Sequence, residues 1–170
     1  MCGIVGLFST YPSDNECLLI RMRDTMIHRG PDDSGIWWSK DRRLGLGHRR
    51  LSILDLTPTG HQPMEDSAGQ YVITFNGEIY NYIDLRTYLI KKGHSFRSTS
   101  DTEVLLESYK EWGVKCLDHL NGTFAFAIFD LERHKIFLAR DRAGEKPLYF
   151  KPSPDRFIFA SELKALMADP

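Results

Sequence analysis

Strand-like segments lie toward both ends of the chain and helical spacing dominates its middle. That order favours an α+β layered domain with largely antiparallel sheets over a regular βαβ repeat. CGIVGLF reads as a strand, and ECLLIRMRDTMIHRG follows with Leu18, Leu19, Met22 and Met26 at helical spacing and Gly30 as terminator. SGIWWS and RLGLGHRRLSIL are predicted strands joined by the turn-like KDRR, and GQYVITFNG is a strand running into an Asn-Gly turn. NYIDLRTYLIKKG is a predicted helix with Leu85, Tyr88 and Leu89 on one face and Gly93 at its end. SDTEVLLESYKEWG is another, capped at Ser100 or Asp101, with Leu105, Tyr109 and Trp112 on one stripe, and a short helix through Val114, Leu117 and Leu120 follows. Strands return as a hairpin of TFAFAIFD and KIFLARDR around LERH, then as PLYF and RFIFAS, before ELKALMA closes as a helix.

A length of 170 residues suits one domain with its own core, and 42% hydrophobic residues with a net charge of −1 are ordinary for a soluble globular protein. The near-neutral balance argues against broad binding to nucleic acid or anionic lipid, and the apolar runs are too short to span a bilayer. The first residues lack the basic and long apolar regions of a signal peptide, so a cytoplasmic protein is expected. Cys2, Cys17 and Cys116 form no CxxC pair and give neither a disulfide framework nor a zinc signature, and the histidines are scattered without metal spacing. NGT at 121–123 matches a glycosylation sequon by chance. Gly30 to Gly35 spells G-x-x-x-x-G, but Ile36 and Trp37 stand where a phosphate loop needs Lys and Ser/Thr. Gly45 and Gly47 lack a third glycine opening a helix, so no ATP site is expected in this chain.

The remaining polar residues each admit two uses. Cys2 is either a small hydrophobe heading a buried strand or, once Met1 is cleaved, an N-terminus with an α-amine beside its own thiol. Arg50 offers a planar fork to a carboxylate, or a surface salt bridge. Asn76 and Gly77, at a predicted strand end, can converge an amide and a backbone N–H on one oxygen, or simply turn a hairpin. Asp101 is an exposed carboxylate able to meet an ammonium, or only a helix cap. Taken together, an arginine for an α-carboxylate, acids for an α-ammonium, an amide pair for a side-chain carbonyl and a thiol to attack it describe glutamine.

The motifs MCGI, HRGPDDSG, HRRLSILD, QPM, FNGEIYNY, SDTEVLLESYKEWG, LNGTFAFAIFD and ARDRAGEKPLYF cover almost the whole chain. In that order they resemble the class II glutamine amidotransferase domain, an N-terminal-nucleophile hydrolase, in the form found at the front of glutamine-hydrolysing asparagine synthetases. The resemblance implies an αββα four-layer sandwich with two largely antiparallel sheets. It implies Cys2 as nucleophile after loss of Met1, with the α-amine as base, and Asn76 and Gly77 as the oxyanion hole. The segment Arg50, Leu51, Ser52, Ile53 and Leu54 would be a strand bordering glutamine, Arg50 gripping the α-carboxylate, with Glu78 and Asp101 on the α-ammonium. Arg49 competes with Arg50 for that assignment, because adjacent strand residues face opposite ways. HRGPDDSG reads either as a loop shaping the site beside Cys2 or as a structural turn held by Arg29 and Asp32.

The same resemblance implies that residues 1–170 are a glutaminase domain that passes ammonia to a C-terminal synthetase domain absent from this chain. Neither cofactor nor metal is expected here, ATP and Mg2+ belonging to the missing domain. Glutamine is the expected substrate, aspartate the default ammonia acceptor, and a sugar acid or other carboxylate the alternative. A homodimer is left open. Two other readings remain: a glutamine-binding module without turnover, and a structural protein with a buried Cys2.

Overall fold

A computed structural model describes residues 1–12 and 15–170. β1 (Gly3–Ser9), β2 (Asp33–Trp38), β3 (Leu44–Arg50), β8 (Tyr149–Pro152) and β9 (Arg156–Ala160) form one antiparallel sheet in the order β2-β3-β1-β9-β8. β4 (Met64–Glu65), β5 (Tyr71–Ile79), β6 (Gly122–Asp130) and β7 (Lys135–Arg140) form the second in the order β4-β5-β6-β7. Side-chain alternation along each strand decides what it packs against. On β1, Ile4 joins the layer between the sheets, whereas Val5 and Leu7 pack with Leu19 and Met22 of α1 (Glu16–Asp24) and with Ala165 and Leu166 of α4 (Leu163–Met167). On β6, Ala125, Ala127 and Phe129 face the first sheet. Phe124, Phe126 and Ile128 pack beneath Leu85 and Leu89 of α2 (Tyr82–Lys91) and Leu105 of α3 (Asp101–Trp112). The result is helices, sheet, sheet, helices: the four-layer αββα sandwich expected from the motifs.

Close approach between the sheets depends on small residues at chosen positions. A Cβ on Gly6 would sit 2.1 Å from the ring of Phe159, its partner on β9, so the glycine makes room for a large buried side chain. His48 bridges the layers, its Nε2 lying 3.0 Å from the Phe75 carbonyl of β5. Burial lowers the His48 pKa to about 4, so the ring is neutral and donates from that nitrogen.

Several local expectations change. The first helix ends at Asp24, and residues 25–29 continue as hydrogen-bonded turns that keep Met26 buried, so Gly30 terminates turns and not a helix. The segment after α3 is a 3-10 helix (Gly113–Asp118). Tyr88 is exposed and packs on Trp112, while Leu85 and Leu89 carry the buried face of α2. The strand of PLYF begins only at Tyr149. Two changes bear on the site. β3 stops at Arg50, so Leu51 to Leu54 are an irregular loop and not a strand. β5 runs straight through Asn76 and Gly77, which pair with Ala125 and Phe124, because the ladder to β6 outweighs the local turn preference of Asn-Gly.

Phe159→Ala is expected to destabilise the fold by about 3–5 kcal/mol. Urea unfolding should show a lower midpoint at unchanged slope.

Candidate active site

One end of the sandwich gathers Cys2 before β1, the loop after β3, the far half of β5 and the start of α3 around a cleft. Cys2 is held by its thiol and its backbone. Leu51 N–H donates to Sγ at 3.4 Å, and the thiol faces the Leu51 carbonyl at 3.7 Å. Arg29 Nε donates to the Cys2 carbonyl at 2.8 Å. Burial pushes the thiol pKa up, while the Leu51 contact, the N-terminal charge and Arg50 pull it down less strongly.

Alternation along β3 separates the two arginines. Arg49 turns to the helix layer, 2.7 Å from Asp24. Arg50 is buried in the cleft, where its guanidinium donates to the carbonyls of Leu54, at 3.1 Å, and Asp55. The 51–55 loop therefore wraps the arginine. Asp55 pins that loop by accepting from Thr99 N–H at 3.0 Å and from the Thr57 and Thr59 hydroxyls, which hold its pKa down to about 2. Asp32 of HRGPDDSG accepts from Ser52 N–H at 2.8 Å, and Arg29 of the same motif touches Cys2, so the motif both turns the chain and shapes the site. Leu51, Ile53 and Leu54 line the cleft, although Ile53 is 70% exposed. Ser52 does not line it, because its backbone is turned to Asp32.

The open edge of β5 supplies the donors. Antiparallel pairing makes alternate residues bond to alternate sides. Tyr80 bonds to Asn121 beyond the end of β6, and Phe124 spends its own N–H and carbonyl on Asp141. The odd-numbered N–H groups of β5 consequently point away from β6. The two-residue β4 reaches only Val72 and Ile73. Past it, Phe75 N–H donates to Gln62 Oε1 at 2.7 Å and Ile79 N–H to Asp101 Oδ2 at 3.0 Å. Gly77 N–H lies between them, turned to the cleft with no partner among the described residues. A Cβ there would meet the Thr123 carbonyl at 2.3 Å, so only glycine fits. Next to it the Asn76 side chain is 1% exposed, and its Nδ2 is likewise without a partner.

Ser100 caps α3, its Oγ accepting from Glu103 N–H at 3.3 Å, which leaves Asp101 for the cleft. Asp101 is buried, not exposed as expected. Desolvation raises its pKa to about 6, opposed by the Ile79 bond and reinforced by Glu78. The cleft thus holds Cys2, Arg50, Leu51, Ile53, Leu54, Asn76, Gly77, Glu78 and Asp101 together. Gln62, Thr102 and Lys146 also line it and carried no expected role. Gln62 locks β5 to α3 through its 3.1 Å bond to Thr102 Oγ1, and the QPM motif was the only sequence signal for it. Among the described residues no histidine lines the cleft, and no cluster of three or more His, Cys, Asp or Glu could hold a metal ion.

The profile of the glutamine amidotransferase domain matches residues 1–170. The chain belongs to the glutamine amidotransferase domain family. It is 46% identical over 174 residues to asparagine synthetase [glutamine-hydrolyzing] 3 of Bacillus subtilis, covering 100% of this chain and 28% of that protein. It is 36% identical to amidase chry2 of Gibberella zeae, covering 99% of this chain and 26% of the relative. The chain therefore spans about a quarter of the length of these curated relatives. The fold matches that of the glutamine phosphoribosylpyrophosphate amidotransferase of B. subtilis, complexed with ADP and GMP, with a TM-score of 0.82 at 22% identity, over 98% of this chain and 43% of that one. No helix among the described residues of this family member is long and apolar enough to cross a membrane.

Asp101 makes the stability of the domain pH-dependent. Its folded pKa of about 6 lies above the ordinary value near 3.9, so its stabilising contribution is present at low pH and is lost as pH rises through about 6. Asp101→Asn stays neutral and should gain on the order of 2 kcal/mol relative to the parent between pH 4 and pH 7. Urea titrations at the two pH values measure that difference.

Proposed function

We propose that this domain hydrolyses glutamine to glutamate and ammonia through a γ-glutamyl thioester on Cys2. The reading rests on one observation above all: two donors without a partner among the described residues, Asn76 Nδ2 and the Gly77 N–H turned away from β6, belong to residues that line the same cleft as Cys2. A thiol with a raised pKa needs a base, and among the described residues no histidine lines the cleft to serve as one. Loss of Met1 makes the Cys2 nitrogen a primary amine, a class of group with an ordinary pKa near ~8, so part of it is unprotonated near neutral pH and able to take the thiol proton. The amine takes the thiol proton, the thiolate adds to the side-chain carbonyl of glutamine, and the oxyanion forms between Asn76 and Gly77. Collapse breaks the C–N bond, the ammonium returns its proton to the departing nitrogen, and ammonia leaves. Water, deprotonated by the same amine, then cleaves the thioester to glutamate and restores the thiol.

Arg50 would grip the α-carboxylate and Asp101 and Glu78 the α-ammonium, with Leu51, Ile53 and Leu54 as the wall. Ser52 acts through the Asp32 bond that shapes the loop. The domain itself would use neither cofactor nor metal, while ATP and Mg2+ would serve a synthetase domain on the same polypeptide, in the cytoplasm. Aspartate is the favoured acceptor, giving asparagine, because of the 46% identity to a glutamine-hydrolysing asparagine synthetase. The alternative is a sugar acid or another carboxylate as acceptor, served by the same front domain.

Intact-mass measurement with an electrophilic glutamine analogue tests the nucleophile. The expected result is loss of Met1 and one adduct, blocked by excess glutamine and absent in Cys2→Ala. A chain that has lost Met1 and still forms no adduct overturns the reading in favour of a glutamine-binding module. Asn76→Ala should lower turnover about a hundredfold or more. Because the α-ammonium must meet an ionised Asp101, KM for glutamine should rise as pH falls below about 6, and Asp101→Asn should abolish that rise.

A further inference from the structure

Cys2 precedes the first strand residue, and in the reading above its nitrogen is the free amine left by loss of Met1. Its placement then depends on its side chain and its carbonyl. Arg29 holds the carbonyl at 2.8 Å, yet Arg29 belongs to the turns between α1 and β2 and needs its own anchor. Glu162 supplies it: the carboxylate receives Arg29 Nη1 at 3.1 Å, within a guanidinium that is almost fully buried. Glu162 is itself fixed relative to Cys2. The preceding residue, Ser161, accepts from Ile4 N–H through its hydroxyl at 3.0 Å and donates its own N–H to the Ile4 carbonyl at 2.9 Å, which extends the β1–β9 pairing two residues from Cys2. Glu162 stands at the N-cap position of α4 and makes no side-chain cap bond there, so capping does not explain an acid at this point. His28 Nε2 at 2.9 Å and Lys164 Nζ at 3.0 Å approach the same carboxylate from its exposed side.

We infer that Glu162 is a positioning residue that fixes the backbone of Cys2 through Arg29. Among the described residues its hydrogen bonds and ion pairs reach no cleft-lining residue other than through that arginine, so its loss displaces the amine and thiol of Cys2 and leaves the glutamine contacts in place. The consequence is a change in kcat and not in KM. Displacement of about 1 Å at a reacting group lowers rates up to roughly a hundredfold.

The inference rests on the glutaminase reading, and the test separates the two. Glutamine hydrolysis is measured for the parent, Glu162→Ala, Glu162→Gln, Arg29→Ala and the Arg29→Ala/Glu162→Ala pair, each checked for loss of Met1 by mass and for folding by thermal melt. Glu162→Ala should lose about 10–100-fold in kcat with KM within about twofold. Glu162→Gln, which keeps an acceptor oxygen, should recover most of the activity. The double variant should be no slower than Arg29→Ala alone, because the two residues act as one unit. His28→Phe and Lys164→Met should match the parent. Unchanged kcat in Glu162→Ala, a loss expressed in KM, or multiplicative losses in the pair would overturn the assignment. If Glu162→Ala fails to fold, Glu162→Leu, which keeps the volume and removes both acceptor oxygens, is compared in parent and Arg29→Ala backgrounds. A fall confined to the parent supports the inference, and an equal fall in both sinks it. Alkylation of Cys2 by iodoacetamide, followed by peptide mapping, gives a readout without glutamine. A parent that alkylates faster than Glu162→Ala but hydrolyses nothing keeps the positioning role and defeats the hydrolase reading, and equal alkylation rates defeat the positioning role.

Discussion

β4 is two residues long, and the site depends on that shortness. A full-length neighbour would pair every outward N–H of β5 and leave nothing for a ligand. Past Met64 and Glu65, successive outward groups recur at roughly 7 Å and each needs a partner if buried. Gln62 serves Phe75 and Asp101 serves Ile79, one from the loop beside β4 and one from the first turn of α3. Those two substitutes close the edge on both sides of Gly77 and define a gap one amide wide. Leaving that amide and the Asn76 Nδ2 unmet costs about 1–3 kcal/mol each in a folded chain. Such a pair is tolerable where a ligand oxygen periodically satisfies it, and the donors are then already oriented before charge develops.

The gap works only because it opens at the seam between the sheets. Cys2 and Arg50 come from the first sheet, Asn76 and Gly77 from the second, and Asp101 from the helix layer beyond it. His48 and the inter-sheet packing of Ile4, Leu46, Val72 and Ala127 set the distance across that seam. A zwitterion lying across it finds a cation on one side and acids on the other. The partly desolvated Asp101 is also poised to ionise when a positive group arrives, since its pKa of about 6 is set chiefly by burial.

Much of this was legible locally. Period-two runs marked the strands of both sheets, helical spacing marked α2 and α3, and Cys2, Arg50, Asn76, Gly77, Glu78 and Asp101 do meet at one cleft. The misreadings have a common cause. Asn76-Gly77 has the composition of a hairpin turn, but the ladder to Phe124 and Ala125 is a contact with residues nearly fifty positions away. Leu51 to Leu54 carry strand-like apolar residues, yet the buried Arg50 guanidinium needs acceptors and draws the Leu54 and Asp55 carbonyls around itself. Asp101 read as exposed because a cap position usually is, and Ser100 took the cap. Gln62 was marked only by the QPM motif and Glu162 by no local pattern, since their partners lie in other elements.

The proposed mechanism sets two demands on Cys2 against each other. The thiol must be buried enough to exclude water and hold a fixed geometry, and burial raises its pKa. It must also lose its proton to a group attached to its own backbone, so that backbone cannot fray as termini do. The fold meets both by anchoring Cys2 at two points that do not involve its nitrogen: the sulfur against Leu51 and the carbonyl against Arg29. In the proposed mechanism the nitrogen is the acting base, and those two anchors set where it stands relative to the thiol.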